Sequence, residues 1–426
     1  MRTQVPPLHR NRDFVLLWTG SAVSILGSNV SSVAYPLLVL ALTGSAADAG
    51  LTGFVALLPQ LLFQLPAGAL VDRCDRRRMM IYCDLLCALV LSTLVTALLF
   101  GRLTLVHILV VGFLEGTFAV CYRLAAAAAV PNVVHTSQLA QALARNEARR
   151  RGAAMLGRPL GGVLFGVGRA APFLFDIASY AVSVVTLGLI RKDFQVQRDD
   201  EHRRPRLAEF TEGTAWLWRH PFLRTTTLLI AGSNLLFQAL FLVVIVIATD
   251  HGASPSAIGL MLGILAVGGL LGSLAAPAVA RRLSLKTVVI GANWLWFLLV
   301  PLLAVVHDAI LLGVVFAAMA FIGPLWNVAI SAYQIAVTPD RIQGRVLAAA
   351  GMIAFGAVPL GSLTGGILLG SVGATTTVWL LTLWMAVLAM TTVLSPSVRS
   401  APDLAETGSP APAEEGSGTA ASPLTK

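Results

Sequence analysis

A few ionisable side chains of this chain sit inside long apolar runs, where a charge is costly unless it has a use. Glu115 lies in the middle of one run, the only carboxylate at such a depth, and Arg158 lies at a comparable depth in the next. Whether a buried carboxylate is ionised or protonated depends on the charges beside it. A Glu115 that meets Arg158 in one conformation and loses it in another would take up and release a proton as the chain moves. The same two residues would equally serve as a fixed ion pair pinning their segments, and the sequence leaves both uses open. Arg123, two turns from Glu115, is placed to reach toward the end of its run. Asp84 and Asp176 fall about a turn from the ends of theirs and read as structural.

A second concentration of charge is "GALVDRCDRRR", Gly68 to Arg78, with six ionisable groups among the seven residues from Asp72 onward, between two apolar runs. Polar side chains recur at helical spacing inside three other runs. One carries Ser21, Ser24, Ser28, Ser32 and Tyr35 with Asn29 beside them. Another carries Asn234 and Gln238 with Phe237 and Phe241. A third carries Asn327, Ser331 and Gln334 next to Trp326. Such stripes line a polar cavity or join helices by hydrogen bonds.

The elements that must position these residues follow from composition. Hydrophobic residues make up 56% of the 426 and charged ones 12%, against roughly a quarter charged in a soluble domain. Mean hydropathy is +0.79. The chain is an integral membrane protein. Its net charge of +9 does not point to nucleic acid, because the basic residues punctuate apolar segments instead of forming one patch. A spanning helix needs about 20 mostly apolar residues. Twelve segments qualify: 14–42, 50–71, 79–100, 105–127, 150–168, 172–190, 222–248, 257–280, 287–306, 309–336, 346–370 and 375–395. The first, Phe14 to Leu42, is too long for a signal h-region, so no cleavable signal peptide is expected.

The expected organisation is an N-terminal six-helix half (1–190), a cytoplasmic linker (191–221), a C-terminal half (222–395) and a disordered cytoplasmic tail (396–426). The linker contains the run Arg198 to Arg206 and a surface helix over about Leu207 to Trp218. The tail, rich in Pro, Ala, Glu, Gly and Ser, lacks the apolar residues to fold. Of the 30 Lys and Arg, Arg102 and Arg169 fall in the loops of one side, Arg123 and Arg158 in spans, and all others on the opposite side. By the positive-inside rule both termini are cytoplasmic, in the cell's inner (plasma) membrane. Cys74, Cys83, Cys87 and Cys121 have no His or further Cys to complete a metal-ligand set, so they read as small hydrophobes. No cofactor is expected.

Internal repetition supports a duplicated unit. Pro159-Leu160-Gly161 matches Pro359-Leu360-Gly361 at an offset of 200, with glycines following in both places. The charge cluster has a faded partner in Arg281, Arg282 and Lys286. Two joined six-helix halves are an architecture of secondary transporters.

Here the chain resembles the major facilitator superfamily, whose signature between spans two and three reads Gly-x-Leu-x-Asp-Arg-x-Gly-Arg-Arg/Lys. Gly68, Leu70, Asp72, Arg73, Arg76 and Arg77 occupy those places, and Asp75 stands where the family usually has Gly. The resemblance implies an all-α fold of twelve transmembrane helices in two pseudo-symmetric halves, with spans one, four, seven and ten lining a central cavity. Ser28, Asn29, Ser32, Tyr35, Asn234, Phe237, Gln238, Phe241, Trp326, Asn327 and Ser331 are then the candidate cavity residues. The charge cluster reads as a latch. Asp72 would sit against the positive N-terminal end of span eleven, near Gly344 and Arg345, while Arg73 and Arg76 pair with acidic groups at neighbouring cytoplasmic ends.

"GRPLGG" (Gly157 to Gly162) resembles the Gly-Pro-x-x-Gly-Gly element of drug/proton antiporters, with Arg158 where that element has Pro. "NEARRRGAAMLGRPLGG" and "TPDRIQGRV" resemble the macrolide- and siderophore-exporter branch. The expectation is a proton-coupled exporter of hydrophobic or amphipathic small molecules working by alternating access, with protons and the lipid bilayer as partners and a single chain as the working unit. Export of a siderophore or other specific metabolite is the nearest alternative, and a non-transporting sensor or scaffold a more distant one. An enzyme is not expected, since there is no Walker loop, Ser/His/Asp set or metal-ligand cluster.

Overall fold

In the computed structural model, residues 7–190, 194 and 207–400 are described. The fold is all helical among them: α1 (Arg12–Thr43), α2 (Ala46–Arg73), α3 (Arg76–Leu99), α4 (Leu105–Val133), α5 (Leu139–Val167), α6 (Ala171–Gly188), α7 (Leu207–Arg219), α8 (Pro221–Asp250), α9 (Pro255–Arg282), α10 (Leu285–Leu299), α11 (Ala309–Val337), α12 (Gln343–Leu394) and α13 (Pro396–Arg399).

Side-chain caps set several starts, each worth about 1 kcal/mol. Asn11 Oδ1 accepts from Phe14 N at 3.1 Å, and Asp308 Oδ1 from Leu311 N at 2.9 Å. Asp75 Oδ1 accepts from Arg78 N at 3.0 Å and begins α3. The departure from the family glycine is thus a helix cap.

Among the described residues ten helices, rather than the expected twelve, are long and apolar enough on their own to cross a membrane. Two causes account for the difference. α12 has 52 residues, about 78 Å of helix against a hydrocarbon core of about 30 Å, and it breaks at Gly373, whose φ of 77° is left-handed. It therefore makes two passes. α5 carries Arg145, Glu147, Arg149, Arg150 and Arg151 in its first half, so only its remainder is apolar.

The helices pack as two groups. In the first, α1 lies on α5 and α6, and α4 on α2 and α3; in the second, α8 lies on α12 and α9 on α11. Two seams join the groups, α2 with α12 and α5 with α9. The sequence repeat has its structural counterpart here. A Cβ on Gly161 would meet the Val30 carbonyl of α1, and one on Gly361 the Leu235 carbonyl of α8, the same close approach in each half. Gly162 faces Gly259 across one seam and Gly366 faces Gly50 across the other. The glycine pairs lie toward the end of the bundle opposite to the charge cluster, Gly50 near the start of α2 and Gly162 near the end of α5, while Arg151 donates to Ser273 across the α5–α9 seam nearer the cluster.

The linker helix expected over Leu207 to Trp218 is α7, and the run Arg198 to Arg206 lies outside the described residues. The tail expected to be unfolded from 396 begins instead with α13, whose Val398 is fully buried; the apolar side chain gives this turn something to dock. Residues 401–426 lie outside the described residues.

Candidate functional site

One face of α1 carries Ser21, Ser24, Ser28, Ser31 and Tyr35 at alternating three- and four-residue steps, which keeps them aligned. That face points into the first half. Tyr35 Oη donates to Glu115 Oε2 at 2.6 Å, and Tyr180 Oη of α6 donates to Glu115 Oε1 at 3.0 Å. Ser28 lies 3.3 Å from the Tyr180 hydroxyl. Ser31 donates to Asp176 Oδ2 at 2.6 Å, and Ser179 to Asp176 Oδ1 at 3.1 Å. Ser24 donates to Asp84 Oδ1 at 3.4 Å, and Tyr122 bridges Ser21 and Ser183 at 3.0 and 3.2 Å. Three carboxylates thus share one hydroxyl-rich seam. Asp84 and Asp176 are buried, 2% and 0% exposed, whereas Glu115 is only partly covered.

These contacts revise the expected roles. Ser28 and Tyr35 bond inward within the first half, whereas Ser32 is exposed and Asn29 half-buried on the adjoining face. Glu115 and Arg158 do not meet: both carboxylate oxygens are taken by tyrosines, and Arg158 forms no ion pair among the described residues. The reason is azimuth. α5 packs on α1 and α9, so Arg158 reaches across to α8, where its guanidinium carbon lies 5.7 Å from the Phe241 ring centre. Its Nε is buried without a hydrogen-bond partner.

In the second half, Asn234, Phe237, Gln238 and Phe241 line a cavity of about 220 Å³ with Leu265, Phe316, Ala320 and Val358. Asn234 Nδ2 donates to the Ala354 carbonyl at 2.7 Å. Asn327 and Ser331 are exposed one turn apart on α11. Trp326, expected beside them, is 2% exposed and packs 5.6 Å from Trp296 in the core, since a large ring one residue from an exposed face turns inward. Sequence reasoning missed Tyr122, Ser179, Tyr180 and Ser183. Asp176, Ser179, Tyr180 and Ser183 are spaced on one face of α6, a signal equal to the α1 stripe.

In this arrangement the charge cluster makes other contacts than those expected of a closed latch. Arg76 Nη1 donates to the Ala128 carbonyl at 2.9 Å and Arg77 Nε to the Leu187 carbonyl at 2.8 Å. They bind carbonyls in the last turns of α4 and α6 within one half, where a helix's negative end attracts cations. Asp72 lies 3.8 Å from Arg76 with a 64% exposed side chain, Arg73 is exposed beside it, and a Cβ on Gly68 would meet nothing within 4 Å. Arg345 instead pairs with Glu212 of α7, which also holds Arg341 at 3.1 Å. A Cβ on Gly213 would strike the Arg345 backbone at 2.6 Å, so linker helix and α12 are tightly apposed.

A bundle of membrane-crossing helices in two repeated halves, with buried carboxylates in the first and an aromatic-lined cavity in the second, defines a transporter fold. Residues 3–413 match the family described as transmembrane secretion effector, and the chain belongs to that family of the major facilitator superfamily. It is a membrane transporter and not an enzyme. It is 28% identical over 350 residues to the multidrug efflux pump Tap of Mycolicibacterium fortuitum, covering 77% of this chain and 82% of that one. Over 179 residues it is 25% identical to macrolide efflux protein A of Streptococcus pyogenes, covering 42% and 44%. Among solved structures, the nucleoside transporter NupG superposes with a TM-score of 0.73 at 12% identity, over 89% of this chain and 98% of that one. A bacterial homologue of the iron transporter ferroportin gives 0.69 at 14%, over 91% and 99%.

Proposed function

We propose that this chain is a proton-coupled exporter of amphipathic small molecules, working in the plasma membrane with both termini cytoplasmic. The observation that carries the reading is the Tyr35–Glu115–Tyr180 arrangement, in which two helices of the first half hold the one partly accessible mid-span carboxylate. A proton on Glu115 changes what those hydroxyls bond to, since a carboxylate only accepts and a carboxylic acid also donates. Protonation thereby biases how α1 and α6 sit against α4. The efflux pumps among the relatives support the export direction, and the one-sided distribution of Lys and Arg supports the orientation. The halves rock about the α2–α12 and α5–α9 seams; with the glycine pairs shut and Asp72 undocked, the present arrangement is read as the cytoplasm-facing one.

The test is efflux from a pump-deficient host across a diverse compound panel, with and without a protonophore. Glu115→Gln preserves volume and removes the titrating group. It is expected to abolish uphill efflux while ligand binding and protein level hold. Wild-type protonophore-sensitive efflux in that variant would overturn the role of Glu115.

A further inference from the structure

Arg158 is the feature that the proton reading leaves unused. A guanidinium deep in a span is costly to hold unless it is paired. Among the described residues Arg158 has no ion pair, its Nε has no hydrogen-bond partner, and its guanidinium carbon stands 5.7 Å from the ring centre of Phe241. Phe241 belongs to the opposite half and lines the 220 Å³ cavity together with Asn234 and Gln238. The buried carboxylates of the first half are committed elsewhere. Both oxygens of Glu115 accept from tyrosines, Asp176 is held by Ser31 and Ser179, and Asp84 is buried beside Ser24. The transmembrane helices of the second half carry no acidic residue in their cores. The cavity lining itself carries no charged side chain, and the cation nearest to it on the page is Arg158, which reaches it over the ring of Phe241.

We infer that Arg158, over the ring of Phe241 that it shares with the cavity wall, is a subsite for a single anionic group, and that the exported molecule is an amphipathic acid. The carboxylate takes the open guanidinium donors in the planar, two-point manner that arginine favours. The apolar body lies against Phe237, Phe241, Leu265 and Phe316. A cavity of this volume is below the ~300–1,000 Å³ of a drug-sized site and receives one end of the molecule. The inference rests on the transport reading for the word "exported" and on the geometry alone for the anion. It also explains why this chain places Arg where the related antiporter element has Pro: the change brings a cation to the cavity while Pro159 and the glycines keep the seam.

The test uses the full chain in lipid nanodiscs and three fluorescent probes of one shape: 1-pyrenebutyrate, its neutral primary amide, and 1-pyrenebutylamine. Wild type is expected to bind the acid about tenfold more tightly than the amide, and the amine most weakly. Arg158→Gln should remove the preference while amide affinity stays the same, and Arg158→Lys should restore part of it. If Arg158→Gln does not fold, the wild-type ranking and the Arg158→Lys variant decide alone. Equal binding of the three probes by wild type, or a preference surviving in Arg158→Gln, overturns the subsite. Proteoliposomes under a proton gradient separate this from the transport reading. Gradient-driven movement of the amide without acid preference sinks the subsite only. Acid-selective binding through Arg158 without movement of any probe leaves the subsite standing and sinks transport.

Discussion

Adding one methyl group to the α5–α9 seam should reverse the balance of the two ends of the molecule. A Cβ on Gly162 would lie 2.5 Å from the Gly259 Cα and closer still to the Pro255 carbonyl oxygen. Carbon atoms at rest are about 3.5–4.0 Å apart, so the helices must separate by about 1 Å or more at this crossing. Backbone faces backbone there, and no side chain can swing aside. Overpacking of this kind costs about 1–3 kcal/mol, and the penalty falls only on the state in which the seam is shut. At about 1.4 kcal/mol per tenfold, the shut state loses between about fivefold and a hundredfold of its population. The reporter is Ser362→Cys in the companion α2–α12 seam, where the serine is 4% exposed and donates to the Gly50 carbonyl across the halves at 3.2 Å. Cys74, Cys83, Cys87 and Cys121 are first replaced by Ala. Gly162→Ala should raise maleimide labelling of that cysteine by the same factor, because both glycine pairs lie toward one end. Gly291→Ala is the control, since a Cβ there meets nothing within 4 Å. Unchanged labelling in Gly162→Ala, with transport intact, would show that the seams do not open during the cycle.

Two further outcomes follow from the charged ends. Asp75→Ala removes the cap of α3 and should destabilise the protein by about 1 kcal/mol in thermal unfolding, with Asp75→Asn restoring most of it. The hydrogen bond from Arg150, then the charges of Arg150 and Arg151, hold the Glu147 carboxyl below the ordinary carboxylate range, before the apolar part of α5 begins. A depressed carboxyl contributes above its unfolded value of about 4.3 and loses that contribution as pH falls through the folded one. Glu147→Gln should therefore leave the transport profile between about pH 5 and 8 unchanged, whereas Glu115→Gln flattens it.

Helix positions and the two halves were legible in the sequence because apolar length and small-residue repeats report them directly. Azimuth was not. A serine stripe at helical spacing says that one face of α1 is polar, but Ser31 and Ser32 point about 100° apart, and only the packing of α4 and α6 decides which of them meets a carboxylate. Glu115 and Arg158 read as neighbours from their places along the chain, but they do not meet in this arrangement, for the same reason. Their helices present them to different neighbours, α1 and α6 for one and α8 for the other. The cluster after α2 was legible as a charged motif, yet the carbonyls that Arg76 and Arg77 bind lie at helix ends 52 and 110 residues away.

Asp72 is the part of that cluster whose role the present arrangement leaves open to measurement. Arg76 and Arg77 are spent within the first half and Arg345 on Glu212, while Asp72 stays in solvent with a weak contact to Arg76. Docked against the N-terminal turn of α12 in the opposite state, a carboxylate would gain about 0.3–1 kcal/mol, or up to about 2 if partly buried. Since only that long, exposed contact to Arg76 holds it in the state seen here, Asp72→Asn costs the docked state more. The population should move toward the arrangement with shut glycine seams by about twofold, up to about thirtyfold. The same Ser362→Cys reporter should then label more slowly, opposite in sign to Gly162→Ala. The two sites lie at opposite ends of the bundle and share no partner, so their effects should add and the double variant should return toward wild-type labelling. A double variant that labels like Gly162→Ala alone would mean that Asp72 stabilises neither state, and that its charge serves only to orient the chain in the membrane.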